Sequence, residues 1–389
     1  MSLVQAETTM SQARPSKLAQ WGDALYNYRN SLLSSTRFQR WAGSFPLTKS
    51  IAARNAGAVF DIVAGFVYSQ ILLALVQLKV FEILSNGPIE KLALAERLGL
   101  SPEAADTLLE GACALRLLEH RSGNRIGLGW KGAPLVGNAP VLSMIEHHAT
   151  LYADLRDPVS LLKRRSFDTA MGQYWPYTDA HQDDANDARL KRQIEAYSKL
   201  MAASHPFVAN EIFDVFSFAK FKRVLDVGGG EGEFVLRLAK HAPHLNLSTF
   251  DLPGVAARAR ARFHAEGIAH RATAHGGSFF EDELPTDFDL ITLNRVLHDH
   301  DDAHAFQLLE AIRRAMPDGG SLLLTEPMAD TPGAQAMGHA YFGMYLWAMG
   351  RGRSRSAATI TQMLRAAGFS KVQEIATRIP LQARILLAK

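Results

Sequence analysis

From residue 223 onward, short apolar segments typical of strands alternate with longer segments of helical periodicity. The predicted strands are Arg223–Val227, Leu247–Phe250, Leu290–Leu293, Ser321–Thr325 and Ala383–Ala388, and the predicted helices are Phe234–His241, Gly254–Glu266, Ala303–Met316 and Ala357–Ala367. Strands that alternate with helices form a mostly parallel sheet covered by helices. The fold class expected for residues 191–389 is therefore α/β, a doubly wound Rossmann-like sheet whose ligands bind at the carboxyl ends of the strands.

The turn after the first predicted strand is rich in glycine and leads into a helix. It runs from Asp226 to Phe234 with the sequence DVGGGEGEF, and glycines let the backbone approach a ligand closely. The dinucleotide fingerprint has glycines at its first, third and sixth positions. Gly228 and Gly230 match the first two, whereas the sixth position is Glu233. The pattern predicts a ligand site that differs from the usual pyrophosphate site.

The charge of this turn indicates the charge of its ligand. Asp226, Glu231 and Glu233 surround the glycines, and the turn contains no lysine or arginine. Carboxylates repel a pyrophosphate but attract a ligand that carries an ammonium and a sulfonium group. Asp251 ends the next predicted strand, where an acid can accept hydrogen bonds from two ribose hydroxyls. A nucleoside with a positive, phosphate-free tail is S-adenosylmethionine, the cofactor expected here; the alternative is a structural turn with surface acids.

The sequence HDHDD, which begins at His298, follows the strand Leu290–Leu293. Histidine titrates near pH 6.5 and can accept a proton at neutral pH, so His298 is a candidate general base. Two alternatives are a structural histidine and, together with His300 and the aspartates, a metal ligand. No distant partner ligand is evident, and no metal is expected. Either Asp301 or Asp302 is expected to cap the next helix.

Glu326 ends the following predicted strand. A carboxylate there would lie next to His298, where it can orient an imidazole. The alternative, a carboxylate that caps a loop or pairs with an arginine, fits the spacing equally well.

The segment before the sheet, residues 59–190, is predicted to be mostly helical and to include a winged helix. Ser101 precedes Pro102 as a helix N-cap, and the pair Gly123-Asn124 predicts a tight hairpin, the wing. The second helix of this motif carries acidic residues at positions 103, 106 and 110 and no basic residue before Arg116. Such a helix would be repelled by a duplex, so no nucleic acid partner is expected. The overall net charge of +3, from 42 basic and 39 acidic residues, agrees.

Residues 1–58 form a basic arm that contains seven lysines and arginines, two acidic residues and interleaved aromatic residues. Such a segment can lie on an anionic membrane; the alternative is a solvated arm of two short helices packed on the body. The apolar stretch Ile62–Leu78 is interrupted by polar residues and predicts a buried helix.

The N-terminus shows no secretory signal pattern, and the single cysteine, Cys113, excludes an intrachain disulfide. We therefore expect a cytoplasmic protein, with peripheral contact at the inner face of the membrane through the basic arm.

Together these motifs resemble the class I S-adenosylmethionine-dependent small-molecule O-methyltransferases of the caffeate and acetylserotonin type, from about residue 59 to the C-terminus. The matching segments are Asp226–Gly232, Phe250–Pro253, Gly276–Phe280, Arg295–Asp299, Glu326 and Gly368-Phe369. The resemblance implies a methyltransferase sheet with an N-terminal, mostly helical winged-helix domain that forms a homodimer. The expected domains are residues 1–58, 59–190 and 191–389.

The resemblance also implies roles for individual residues. His298 corresponds to the family's general base and Glu326 to the carboxylate that positions it. The plant pattern is broken at Asn294, where many members have lysine, and at Ser354, where they have a second glutamate. Ser278 replaces an acidic residue on the adenine side. The implied cofactor contacts are Asp226, Gly228, Gly230, Asp251, Ser278, Phe279 and Arg295.

Within this family, the arm and the segment Phe66–Gln70 resemble bacterial carotenoid hydroxyl methyltransferases of the hydroxyneurosporene or demethylspheroidene type. The segment Met337–Met349 is rich in methionine and aromatic residues, which suit a long apolar alcohol, although helix core or dimer interface is an equal alternative. The expected reaction is methylation of a hydroxylated carotenoid. The alternatives are a soluble phenol or polyketide as acceptor, a winged-helix regulator that senses S-adenosylmethionine, and a metal-dependent hydrolase.

Overall fold

The structure, a computed structural model, describes residues 16–163, 169–174 and 205–389. The helices are α1 Lys17–Ser34, α2 Thr36–Ser44, α3 Lys49–Gln77, α4 Val80–Ile83, α5 Lys91–Leu98, α6 Pro102–Ala114, α7 Ala139–Leu155, α8 Pro158–Lys163, α9 Ala170–Tyr174, α10 205–215, α11 Glu233–His241, α12 Pro253–Ala265, α13 Asp302–Ala315, α14 Phe342–Met349 and α15 Ala357–Ala366. The strands are β1 Ile89–Glu90, β2 Leu118–Arg121, β3 Arg125–Leu128, β4 Arg223–Val227, β5 Asn246–Asp251, β6 Ala272–Gly276, β7 Leu290–Asn294, β8 Ser321–Glu326, β9 Val372–Ile375 and β10 Arg384–Ala388. Short 3-10 turns span Ala133–Leu135 and Leu297–Asp299, and a π-helical turn spans Met337–Tyr341.

Seven strands form one twisted sheet in the order β6-β5-β4-β7-β8-β10-β9. The first five run parallel, whereas β10 is antiparallel to both β8 and β9. Side chains of the central strands alternate between two cores: Leu225 and Val227 pack with α13 and α15 on one face, and Val224 packs with α11 and α12 on the other. Burial on both faces explains the continuous apolar runs of these strands. The predicted α/β class is confirmed.

The structure contains two sheet strands that the sequence analysis did not predict. β6 has the sequence ATAHG, whose small and polar residues have little strand propensity. β9 has the sequence VQEI and none of its residues is buried. Both lie at the edges of the sheet, where one-sided pairing leaves a weak hydrophobic pattern. The predicted strands and helices agree with the structure to within one or two residues at each end.

The winged-helix arrangement lies in the N-terminal half. Helices α5 and α6 are followed by the β2–β3 hairpin, which joins β1 in a three-stranded antiparallel sheet. Ser101 caps α6 by accepting a hydrogen bond from the N–H of Ala104 at 3.2 Å. Gly123 and Asn124 have φ values of 70° and 54°, and this left-handed backbone makes the tight turn of the wing.

Two of the three acidic residues of α6 are paired within the protein. Lys91, at the start of α5, donates hydrogen bonds to the carboxylates of Asp106 and Glu110, the latter at 2.6 Å. These contacts tie α5 to α6 and leave an acidic rather than a basic face on the second helix.

The expected burial of the apolar stretch from residue 62 to 78 is wrong within this single chain. The stretch lies in α3, a helix of 29 residues, but Ile62 is 83% exposed and Phe66 is 67% exposed. Only the end of α3, around Leu75, enters the core. The sequence pattern showed apolar residues but could not show that other parts of the chain leave them exposed.

Helix α3 is also the one helix among the described residues that is long and apolar enough to cross a membrane. Length and composition alone do not distinguish such a span from a helix that packs against another protein. The helices before it, α1 and α2, form the described part of the basic arm, and α1 has no buried residue. Residues 1–15 and the expected domain boundary near residue 190 lie outside the described residues.

Candidate active site

The glycine turn lies between β4 and α11, at the carboxyl end of the sheet. Gly228 has a φ of 66°, and a Cβ there would lie 2.6 Å from Cγ2 of Val296. Its N–H donates to the carbonyl of Phe250 at 2.8 Å, which joins the turn to β5. Gly230 also has a positive φ, 58°, but open space beside it. The turn therefore packs against the sheet at Gly228 and presents bare backbone at Gly230.

Asp226 lies beneath the turn at the end of β4 and is 1% exposed. One carboxylate oxygen accepts hydrogen bonds from Thr292 Oγ1 at 2.6 Å and from Asn294 Nδ2 at 2.9 Å. The other oxygen, Oδ2, is buried without a hydrogen-bond partner in the described structure. Burial raises the pKa of Asp226 to about 7. A buried carboxylate with an unused oxygen is a receptor for a hydrogen-bond donor, most favourably a positive one.

Asp251, at the end of the neighbouring strand β5, supports the turn from the other side. Its Oδ2 accepts a hydrogen bond from the N–H of Gly230 at 2.8 Å, and its Oδ1 accepts one from Leu252 at 2.8 Å. Burial raises the pKa of Asp251 above its ordinary value. Each oxygen keeps a further lone pair for a ligand hydroxyl.

The expectation that Asp226, Glu231 and Glu233 together attract a positive ligand needs correction. Glu231 pairs with Arg258 at 2.7 Å, and Glu233 pairs with Arg237 at 2.8 Å and Arg262 at 2.7 Å. Arg258 and Arg262 lie on α12, so the sequence of the turn alone could not reveal these pairs. Asp226, which is buried, and Asp251, which is partly buried, therefore remain the candidate acids for contact with a positive ligand.

Ser278 and Phe279 lie on the turn after β6, beside the end of β5. The N–H of Ser278 donates to Asp282 Oδ2 at 2.8 Å. The ring of Phe279 is partly buried and meets the ring of His300 edge-on, with centroids 5.6 Å apart. A planar aromatic side chain at the strand ends offers a surface on which a base can stack. The structure thus brings these two predicted residues to the same edge of the sheet as Asp251.

Arg295 follows β7 with a left-handed backbone, φ 58°, which is uncommon for a residue other than glycine. Its N–H donates to the carbonyl of Thr325 at 2.8 Å. Burial and then the Arg295 charge lower the pKa of His205 to about 4. Burial raises the pKa of Tyr341 to about 12, against the charge of Arg295. The guanidinium thus lies within electrostatic reach of both side chains.

His298 lies in the 3-10 turn after β7 and is buried. Its Nδ1 contacts Oε2 of Glu326. Oε1 of the same carboxylate accepts hydrogen bonds from the N–H groups of Val296 at 3.0 Å and Leu297 at 2.7 Å. Glu326 therefore holds both the imidazole and the backbone that carries it.

A second carboxylate reaches the other nitrogen of this imidazole. Nε2 of His298 lies 3.2 Å from Oδ1 of Asp299. Burial alone would lower the pKa of His298, but Asp299 and Glu326 outweigh burial and raise it above its ordinary value, against the charge of Arg295. Burial raises the pKa of Asp299 to about 6. Asp299 lies in the motif Arg295–Asp299 that carries the family resemblance, but the sequence analysis did not predict that its carboxylate contacts the imidazole.

The expected second glutamate position, Ser354, supplies no charge to this site. Its hydroxyl is buried and makes no hydrogen bond within the described residues. The next residue, Arg355, was also missed. It is 4% exposed and binds the loop that carries His298, which nothing in the local sequence indicates.

Most of the segment Met337–Met349 belongs to a helical core, as one of the two alternatives stated. Tyr345, Leu346, Ala348 and Met349 pack against side chains of α7, α8 and α9. Phe342 instead meets the ring of His298, with centroids 6.2 Å apart. The aromatic ring of Phe342 therefore lies beside the candidate base.

The other residues of the HDHDD sequence have separate partners. Asp301 caps α13 by accepting a hydrogen bond from His304 N at 2.9 Å. Of the two predicted cap residues, Asp301 and Asp302, the structure therefore selects the first. His300 packs edge-on against Phe280, and burial lowers its pKa to about 4. Across the described ranges, no group of three or more histidine, cysteine, aspartate or glutamate residues has the arrangement of a metal site.

The parallel sheet, the glycine turn and the acidic strand ends are the arrangement of an S-adenosylmethionine-dependent methyltransferase. Residues 152–370 match the O-methyltransferase domain, and residues 60–141 match the O-methyltransferase dimerisation domain. The chain belongs to the O-methyltransferase family, whose cofactor is S-adenosylmethionine. The dimerisation domain supports a homodimer.

Known proteins place the chain within this family. It is 38% identical to demethylspheroidene O-methyltransferase of Cereibacter sphaeroides over 94% of both chains. It is 37% identical to the protein of the same name from Rhodobacter capsulatus, over 93% of this chain and 89% of that one. The fold is similar to that of the S-adenosylmethionine-dependent methyltransferase SibL, with a TM-score of 0.73, 22% identity and coverage of 85% of this chain and 98% of that one.

Proposed function

We propose that this enzyme transfers a methyl group from S-adenosylmethionine to a hydroxyl group of a hydroxylated carotenoid of the demethylspheroidene type. The observation that carries the reaction is the buried pair of His298 and Glu326 at the same sheet edge as Asp226 and Asp251. The similarity to two demethylspheroidene O-methyltransferases supports the acceptor. An aromatic wall at Phe342 beside the base agrees with an apolar molecule.

The residues around the turn fit the cofactor. The unused oxygen of Asp226 suits the ammonium group, and the free lone pairs of Asp251 suit the ribose hydroxyls. Gly228 and Gly230 let the chain approach closely, and Ser278 and Phe279 would flank the adenine. Arg295 would line the same pocket. Bound S-adenosylmethionine supplies an electrophilic methyl group and the driving force of the reaction.

His298 acts on the acceptor. Glu326 holds the Nδ1 side of the ring, and Nε2, which lies 3.2 Å from Oδ1 of Asp299, takes the proton of the acceptor hydroxyl beside that carboxylate. An aliphatic alcohol is a far weaker acid than an imidazolium, so a free alkoxide does not form first. The proton leaves as the oxygen–carbon bond forms, and general-base assistance of this kind contributes about 10²–10⁴-fold in rate.

The acceptor is tested with the purified enzyme and S-adenosylmethionine, against a hydroxylated carotenoid in lipid vesicles and a panel of soluble phenols and polyketides. We expect mass spectrometry to find one added CH2 unit on the carotenoid only. Methylation of a phenol or polyketide instead would assign the enzyme to a soluble acceptor. A His298→Ala variant, run in parallel, shows whether any product depends on the site.

We further propose that the enzyme lies at the inner face of the cytoplasmic membrane and docks through α1 and α2. These helices expose Trp21 and Trp41 beside Arg29, Arg37 and Arg40, and interfacial tryptophans with basic neighbours favour anionic lipid surfaces. A polyene dissolves in the bilayer, so docking would bring the enzyme to its acceptor. The methyltransferase fold agrees with a cytoplasmic location.

Docking is tested by sedimentation with vesicles of phosphatidylglycerol and phosphatidylcholine. We expect a Trp21→Ala, Trp41→Ala double variant to bind these vesicles less tightly than the native enzyme. A Trp130→Ala variant is the control, because Trp130 is also exposed, at 65%, but lies outside α1 and α2. Equal binding by all three proteins would contradict the proposal.

A further inference from the structure

The loop from Leu297 to Asp302 carries the candidate base and is bound at three points by the buried side chain of Arg355. The guanidinium of Arg355 donates from Nη1 to the carbonyl of Leu297 at 2.9 Å and from Nη2 to the carbonyl of His300 at 2.8 Å. Its Nε donates to Oδ1 of Asp302 at 2.9 Å. This one side chain therefore contacts the residue before His298 and two residues that follow it in the loop.

The backbone next to Arg355 reinforces the same contact. The N–H of Arg353 donates to the carbonyl of His298 at 2.8 Å. A Cβ at Gly352 would lie 2.6 Å from that carbonyl oxygen, so the two segments are in close van der Waals contact. The carbonyl groups of the base loop are thus held from the 352–355 side.

The opposite side of the loop is held by Glu326, which accepts hydrogen bonds from the N–H groups of Val296 and Leu297. The carboxylate binds donors of the loop, and the guanidinium binds its acceptors. Charge-assisted hydrogen bonds of this kind are stronger than neutral ones. The internal hydrogen bonds of the 3-10 turn, from Asp299 N to Val296 O at 3.2 Å and from His300 N to Leu297 O at 3.4 Å, are longer than those that Arg355 and Glu326 make with this loop.

We propose that Arg355 is a positioning residue for the methyl transfer, which fixes the loop so that the imidazole of His298 stays between the carboxylates of Glu326 and Asp299. The inference rests on the proposed role of His298. The guanidinium is required because its donors form a planar fork that reaches three acceptors at once, whereas a lysine offers one point charge. Misplacement of a reacting group by about 1 Å can cost 10²-fold in rate.

The test compares Arg355→Ala, Arg355→Lys and Arg353→Ala with the native enzyme. Arg353 is the matched control, because its exposed side chain also pairs with Asp302 but does not contact the loop carbonyls. We expect kcat to fall about 10²-fold in Arg355→Ala and less in Arg355→Lys, with little change in Arg353→Ala. The affinity for S-adenosylmethionine, measured by calorimetry, should stay within about twofold of the native value, because Arg355 binds the loop of His298 and not the glycine turn.

The pH profile separates positioning from a general loss of fold. His298 is faced by Asp299, Glu326 and Arg295; when its loop loosens from the carboxylates, the acid limb of kcat should move to lower pH. Rates are normalised to the fraction of protein that binds cofactor, and Arg355→Lys serves if the alanine variant does not fold. An unmoved pH profile with normal normalised kcat would overturn the proposal. If His298→Ala leaves turnover intact, the proposed function itself has failed instead.

Discussion

Nδ1 of His298 faces Oε2 of Glu326, while the second oxygen of this carboxylate holds the backbone just before the histidine. A carboxylate at Nδ1 fixes the tautomer whose Nε2 can accept a proton. The same contact raises the basicity of the ring. One side chain at the end of β8 therefore orients the proposed base and, together with Asp299, raises its pKa.

Removal of the base should greatly reduce turnover without loss of cofactor binding. We expect His298→Ala to reduce kcat about 10²–10⁴-fold, because general-base assistance is lost. Calorimetry with S-adenosylmethionine should give a nearly native affinity. His304→Gln is the control, since His304 lies on α13, is partly exposed and is hydrogen-bonded to Asp301, the N-cap of that helix. Native-like turnover of His298→Ala would remove His298 from the mechanism.

The acid limb of the kcat profile should move when Asp299 loses its charge. Below the raised pKa of His298 the ring is an imidazolium and cannot accept a proton, so the rate rises as pH increases through that pKa. Asp299→Asn removes one of the two carboxylates that raise it, and the limb should shift to lower pH. The exposed Asp287→Asn is the matched control. An unshifted limb in Asp299→Asn would show that the carboxylate does not act on the ring.

Cofactor affinity should depend on the protonation of Asp226. The carboxyl group, with a pKa of about 7, is neutral below that pH and negative above it, so affinity for a positive ligand should rise as pH increases through 7. Asp226→Asn should weaken binding about 10–100-fold at pH 8, the cost of one charged hydrogen bond, and flatten this dependence. Any remaining slope in the variant belongs to the ligand's own amino group.

The surface acids of the glycine turn should matter much less. Glu231 is paired with Arg258, and both side chains are partly exposed; such pairs contribute about 0–1 kcal/mol. We expect Glu231→Gln to bind S-adenosylmethionine with nearly native affinity in the same calorimetric titration. A loss as large as that of Asp226→Asn would restore the three-acid interpretation.

The exposed face of α3 should be the place where two copies meet. Phe66 lies within the matched dimerisation domain and is 67% exposed in the single chain. Phe66→Glu would bury a charge in an apolar interface, and light scattering should then report a monomer. Trp21→Glu, outside the matched range, should remain a dimer. A dimeric Phe66→Glu protein would place the interface elsewhere.

Local pattern was enough to predict the central strands, because β4, β7 and β8 are buried along nearly their whole length and carry a polar residue at or next to their carboxyl ends. It also located His298 and Glu326, whose positions follow from strand ends in a parallel sheet. It failed where the partner is distant in sequence. The arginines that pair with Glu231 and Glu233, and the contact of Arg355 with the base loop, depend on tertiary folding alone.

Helix α3 runs without interruption from the basic arm at Lys49 into the dimerisation domain. Because an α-helix rises about 1.5 Å per residue, this helix of 29 residues is a long rigid element. It joins the arm helices α1 and α2, which we propose bind lipid, to the exposed face of α3, which we propose binds a second copy. Attachment to a vesicle then becomes bivalent, and the effective concentration of the second arm strengthens it. A monomeric variant should therefore dissociate from vesicles faster even though every lipid contact is intact.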